Sequence, residues 1–231
     1  MNATTARILS LLIGLVLGNI MTAQLICLKK VGNSAATVGT SGNPGMANVM
    51  AHLGFKAGIT VLIGDVGKAL LAMLLSWLFF HDTLGALPIL YAGTGSVLGH
   101  NYPCLFGLVM KLCTAIRKDS AIDPKDFFKG GKGVATTCAT LIIFHPLWGI
   151  VSCLIGMIVV FITQYLCVGG VVIPGAFALL GFFLLGNEVG FIGLLLTAMM
   201  IWRNRADLLL LPSGQCPKDD VWGGIRRKLG H

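Results

Sequence analysis

The sequence predicts an all-α, polytopic transmembrane helical bundle of about seven spans, with the N-terminus outside and the C-terminus cytoplasmic. Three observations predict it. The 231 residues are 55% hydrophobic and only 11% charged, with a mean hydropathy of +0.85, whereas a soluble domain carries about 25% charged residues. Apolar stretches recur at 8–28, 57–80, 84–100, 133–145, 147–166, 171–186 and 189–203. The basic residues are segregated: the segments 29–56, 101–132 and the tail after Trp202 hold 3, 6 and 6 Lys/Arg, which is 15 of the 17 in the chain. Lys and Arg stay on the cytoplasmic side of a membrane, so this asymmetry sets the orientation.

Each stretch has its own reason. A span needs about 20 apolar residues, so seven use roughly 140 positions and leave no room for a separate soluble domain. The expected organisation is one membrane-embedded domain over 1–231. The first stretch, from Ile8 to Leu28 after Arg7, is longer than a signal-peptide core and has no small-x-small site before Lys29-Lys30, so it reads as a retained span. The second carries Asp65 and Lys68, three residues apart on one helix face, where they can pair. Ionisable residues within a span are costly and mark a polar cavity or a structural pair. The third ends at His100. The fourth, between Gly133 and the His145-Pro146 break, is short enough to require tilt, local thinning or a half-helix. The last three are separated by the uncharged 167–170 turn and by Asn187-Glu188.

The net charge of +8 follows from this orientation and does not call for a nucleic-acid partner. Seven cysteines are scattered without C-x-x-C spacing or a zinc-ligand pattern, so neither a metal site nor a disulfide framework is expected. The 104–127 segment carries Lys111, Arg117, Lys118 and Lys125 beside Asp119, Asp123 and Asp126, and reads as an inserted loop at the headgroup level.

Three polar segments fall on the basic side. Gly130-Gly131-Lys132-Gly133 precedes an apolar helix. Glycines let backbone N–H groups approach an anion, a helix N-terminus favours negative charge, and Lys132 adds a cation, so the segment suits a phosphate. It is not a Walker A loop, because Gly133 and not Ser or Thr follows the lysine. A flexible loop end with an orienting lysine is the plainer reading. Ser41-Gly42-Asn43-Pro44-Gly45-Met46-Ala47-Asn48 offers a hydroxyl and amides for phosphate or hydroxyl oxygens, or simply a turn and a helix cap. Trp202-Arg203-Asn204-Arg205-Ala206-Asp207 closes the last span. No Ser-His-Asp order or carboxylate pair emerges.

In this order, the segments resemble the acyl-phosphate-dependent glycerol-3-phosphate acyltransferases of bacteria, the PlsY family. The first family motif, G-S-G-N-P-G-A-T-N-V-L-R, is similar to Thr40–Ala51, and the D-x-x-K of the next span to Asp65 and Lys68. The second, G-H-x-F/Y-P then F-K-G-G-K-G-V-A-T, is matched by Gly99–Pro103 and, identically, by Phe128–Thr136. The third, H-R-x-N-I-x-R-L, falls on Asn204–Leu211.

The resemblance implies a cytoplasm-facing site in a bacterial inner membrane. It implies acyl phosphate and glycerol 3-phosphate as substrates, lysophosphatidic acid and phosphate as products, no cofactor, and an acyl-phosphate synthase as a donor-supplying partner. Ser41, Lys132 and Asn204 then fall on catalytic positions. Gly42, Asn43, Gly45, Asn48, Lys68, His100, Gly130, Gly131, Gly133 and Asp207 fall on substrate- or phosphate-binding ones. The chain departs from the family where Ala51 replaces the first motif's Arg, Asn204 its third-motif His, Asp207 its Asn and Leu210 its Arg. Two other readings therefore stand beside the first: a divergent paralogue using another acceptor, and a non-catalytic lipid-phosphate binder or transporter.

Overall fold

The structure is a computed structural model that describes residues 1–39, 42–117, 122–216 and 218. Among these the elements are helical throughout. The chain divides into two compact units, 1–140 and 141–231.

In the first unit, α1 (Ala3–Gly18), α4 (Phe55–Leu84) and α5 (Leu87–Asn101) pack together. Side-chain size sets how closely. Gly14 and Gly18 of α1 lie against the α5 backbone at Ala92 and Ser96, while Gly95 and Gly99 of α5 lie against α1 at Leu11 and Leu15. Two small-x-x-x-small pairs thus let the helices touch backbone to backbone, which is how helices associate when lipid removes the hydrophobic drive. Ala69, Ala72, Met73 and Ala92 fill the adjoining core. A second core joins α2 (Thr22–Val31) and α3 (Met46–Leu53) to α4 through Ala23, Cys27, Val49, Ala57 and Val61.

The first apolar stretch is not one continuous helix. It breaks at Asn19-Ile20, between α1 and α2. The Asn19 amide turns back to donate to the Leu15 carbonyl (2.8 Å), and its oxygen accepts from the Leu105 N–H (2.9 Å). This competition for backbone groups is the usual reason Asn ends a helix. The expected loop over 104–127 is corrected: α6 (Cys104–Arg117) and a 3-10 turn (Pro124–Phe128) form within it. Phe106 of α6 meets Phe127 edge-on, and Gly107 lies under the Phe128 ring. The last three residues of the 41–48 segment, Met46–Asn48, form the first turn of α3.

α7 (Val134–Phe144) ends at His145, whose imidazole accepts from the Trp148 N–H to cap α8 (Pro146–Thr163). In the second unit α9 (Leu166–Leu180) packs on α8 and on α10 (Asn187–Leu210). Gly156 lies against Ile173, Gly193 against Ala178, and Gly181 against Gly190. A π turn over Gly181–Leu185 prolongs α9.

Every predicted apolar stretch contains a helix, and four stretches are long and apolar enough to cross a bilayer: Ala3–Val31, Phe55–Leu84, Pro146–Thr163 and Leu166–Leu185. Their outward residues are large and apolar, with Ile63 65%, Ile162 76% and Phe183 83% exposed. Such faces have lipid as their solvent.

Candidate functional site

The N-terminus of α7 organises the first unit's polar residues. Gly133 takes a left-handed φ of 77° and turns the chain into the helix, and the Thr137 N–H bonds the Gly133 carbonyl (2.9 Å). The N–H groups of that first turn carry the positive end of the helix dipole. Gly130 and Gly131 run along the end of α5. A side chain on Gly130 would collide with the carbonyls of His100 and Asn101, and one on Gly131 with the His100 imidazole. The Gly131 N–H donates to the His100 carbonyl (3.2 Å). Lys132 follows, half-buried.

His100 is itself held from behind. Lys68 Nζ donates to His100 Nδ1 (2.9 Å) and to the Ile20 carbonyl (2.6 Å), and pairs with Asp65 (3.2 Å). The Ile20 carbonyl is available because the helix breaks there. An ammonium has three donors, and three acceptors lie within 3.2 Å of this one. A lysine donating to Nδ1 leaves the ring proton on Nε2, the edge beside Gly131. Asp65, Lys68 and His100 are all buried. Lys68 thus stands behind the glycine loop.

The first polar segment approaches the same place. Ser41 lies outside the described residues. Gly42 has φ 52°, and a Cβ there would lie 2.7 Å from the Ala36 carbonyl and 3.0 Å from Lys129 Nζ. Asn43-Pro44-Gly45 closes a tight turn, the Gly45 N–H bonding the Asn43 carbonyl (2.8 Å), before α3 starts. The Asn48 amide donates to the Val38 carbonyl (2.8 Å), and His52 Nδ1 donates to the Asn48 backbone carbonyl (2.9 Å). The His52 ring and the Asn48 amide oxygen both face Gly39.

Several residues that the sequence reading passed over complete this arrangement. Gln24, buried in α2, accepts from the Ala35 N–H (2.8 Å) and the Ser34 hydroxyl (3.0 Å) and donates to the Asp126 carbonyl (3.1 Å). One amide therefore ties to α2 the stretches that lead into the first two polar segments. Lys129 brings a second cation beside Gly42. The side chains of Asn101, Thr136 and Thr137 are buried, and among the described residues their polar atoms have no hydrogen-bond partner. Buried polar atoms are ordinarily satisfied, so these three mark the loop end of α7 as a polar site. Asn101 sits inside the Gly99–Pro103 motif and Thr136 closes the Phe128–Thr136 one, so both were accessible to sequence reasoning.

In the second unit, Asn204 is buried on α10, its amide donating to the Met200 carbonyl (2.9 Å), and Asp207 is half-buried one turn further on. Arg205 lies over the Trp202 ring at 4.3 Å. Among the described residues no three His, Cys, Asp or Glu side chains gather closely enough to hold a metal ion.

Fold and site define an all-α integral membrane protein with a glycine- and lysine-bearing loop, suited to phosphate, at a helix N-terminus. Residues 8–116 and 121–214 match the family model for glycerol-3-phosphate acyltransferase. The glycerol-3-phosphate acyltransferase 1 of Lactobacillus johnsonii is 34% identical over 221 residues, covering 96% of each chain. The glycerol-3-phosphate acyltransferase of Clostridioides difficile is 32% identical over 203 residues, covering 86% of this chain and 88% of that one. The crystal structure of PlsY (YgiH), an integral membrane glycerol 3-phosphate acyltransferase, in its glycerol 3-phosphate form superposes with a TM-score of 0.73 at 25% identity, over 95% of this chain and 98% of that one. The chain belongs to the glycerol-3-phosphate acyltransferase family.

Proposed function

We propose that the protein transfers an acyl chain from acyl phosphate to glycerol 3-phosphate in phospholipid synthesis. The observation that carries the reading is that, in the first unit, Gly42 lies beside the ammonium of Lys129, which opens the 130–133 loop leading into α7. Both substrates carry phosphate, and this is where backbone N–H groups, the helix dipole and two lysines favour it. The acceptor hydroxyl oxygen attacks the acyl carbonyl carbon. The new ester C–O bond forms, the C–O bond to phosphate breaks, and phosphate leaves with the electron pair while the hydroxyl proton is released. Because the leaving group is already good, alignment and charge neutralisation supply much of the rate.

In this reading Ser41 and Lys132 act on the reacting phosphate. The Gly130, Gly131 and Gly133 backbone cradles it, and Gly42, Asn43, Gly45 and Asn48 shape the opposite wall. Lys68 and His100 act from behind the loop, since the lysine already donates to the Ile20 carbonyl and His100 and pairs with Asp65. For Asn204 and Asp207 the proposal rests on the resemblance of the sequence alone. The orientation, with the C-terminus and site facing the cytoplasm, rests on the basic segments. A reporter after His231 is expected inside and one near Asp82 outside; the reverse overturns it. An acyl-phosphate synthase as donor-supplying partner follows from the donor. The defining test is the release of lysophosphatidic acid from acyl phosphate and glycerol 3-phosphate by purified protein. Acyl transfer from acyl-CoA alone would contradict the reading.

A further inference from the structure

Away from the glycine loop, α2 and α4 leave between them a groove of ≈350 Å³ lined by Ile26, Lys29, Lys30, Lys56, Ala57 and Thr60. We infer that this groove binds the phosphate headgroup of an anionic phospholipid drawn from the surrounding bilayer. Three lysines line it and no carboxylate does. Lys29 and Lys30 occupy the last turn of α2, where the negative end of a helix accounts for them. Lys56 has no such account. It lies in the first turn of α4, beside the positive end of a 30-residue helix that no side chain caps. A cation at a positive helix end, facing two more cations, is electrostatically misplaced unless an anion joins them. A phosphate would answer all three lysines and the first-turn amides together.

The apolar surroundings identify the anion as a lipid. α2 ends at the lysines and α4 begins there, so both helices run from that level into the apolar part of the chain. Leu25, one turn before Lys29, is 48% exposed, and Ile63, two turns beyond Lys56, is 65% exposed. A headgroup among the lysines would lay its acyl chains along these residues. Free phosphate makes no use of that surface. Basic pockets between spanning helices are where anionic headgroups bind. The occupant would also clamp α2, and with it Gln24, which anchors the stretches leading into the first two polar segments.

The test uses the full chain in nanodiscs and detergent, with phosphatidylglycerol, phosphatidylcholine and inorganic phosphate as probes and lipid retention read by native mass spectrometry. Wild type is expected to retain phosphatidylglycerol over phosphatidylcholine, and millimolar phosphate to leave it bound. The variant K29Q/K30Q/K56Q is expected to lose retention about a hundredfold. The charge-matched K111Q/K125Q/K218Q should change it little. Thr60→Trp, which fills the groove without changing charge, should lose retention as the lysine variant does. Equal losses in the two triple-lysine variants, or undiminished retention in Thr60→Trp, would reduce the effect to surface charge and overturn the site. Displacement by phosphate would overturn the lipid assignment in favour of a free anion. Each readout is independent of acyl transfer, so the outcome does not depend on the proposed activity.

Discussion

Lys68→Met removes one charge from a buried pair and takes the ammonium away from three groups: the Asp65 carboxylate, the Ile20 carbonyl at the α1–α2 break, and His100 Nδ1, which itself lies 3.5 Å from the carboxylate. Removing one partner of a buried ion pair costs about 3–5 kcal/mol, because the surviving charge remains desolvated. A domain's whole stability is about 5–15 kcal/mol, so the single variant should be conspicuously weak. Asp65→Leu with Lys68→Met removes both charges. That exchange is often neutral, so stability should return to within about 1–3 kcal/mol of wild type, the residue being the unmet Ile20 carbonyl.

Turnover should behave differently. The lysine's donation to Nδ1 holds the His100 ring proton at the edge beside Gly131, so kcat should stay depressed in the double variant although folding recovers. Unfolding in mixed micelles, followed by tryptophan fluorescence, gives the stabilities; steady-state kinetics with both substrates gives kcat and KM. Two results would refute the reasoning. A loss below about 1 kcal/mol in Lys68→Met would deny the burial cost. Full turnover in the double variant would deny that the pair acts through His100.

Further outcomes follow from the same geometry. Lys132→Gln should raise KM for the phosphate-bearing substrates by about ten- to a hundredfold, a charge-assisted hydrogen bond being worth about 1.5–3 kcal/mol; unchanged KM values for both substrates would remove it from the site. Gly130→Ala should cost about 1–3 kcal/mol as overpacking and lower kcat/KM, because the collision is with the rigid carbonyls of His100 and Asn101; wild-type kinetics would show that the loop does not depend on this contact. Restoring Arg at Ala51 and His at Asn204 tests the acceptor: a large gain in glycerol 3-phosphate use, without a matching gain for other hydroxyl acceptors, would mark the native chain as tuned to a different acceptor, and no gain would argue against that divergence.

Much of the fold was legible because lipid enforces a simple rule: long apolar runs become helices that satisfy their own backbone. The α1–α2 break was not, since Asn19 lies inside an apolar run without proline, and its side chain ends the helix by joining a local bond to Leu15 with a tertiary one from Leu105. α6 was obscured by the mixed charges of its segment. Its exposed Leu105, Leu108, Leu112 and Ile116 nonetheless recur at helical spacing, a signal that the charge count overrode. Within the site, glycines and Lys132 were readable because loop chemistry is local. The Asp65–Lys68 pair was readable from its spacing, but its link to His100 depends on how α4, α5 and the helix break meet. Gln24 escaped notice for the same reason: an isolated amide in an apolar helix says nothing of a carbonyl 102 residues away.

The most direct measurement is a single assay. Purified protein in lipid is incubated with radiolabelled acyl phosphate, with and without glycerol 3-phosphate, and the products are separated. The account predicts labelled lysophosphatidic acid and a stoichiometric release of phosphate only when the acceptor is present, with both lost in Lys132→Gln at low substrate. Acceptor-independent release of the label, or no transfer by folded protein carrying an intact glycine loop, would contradict it.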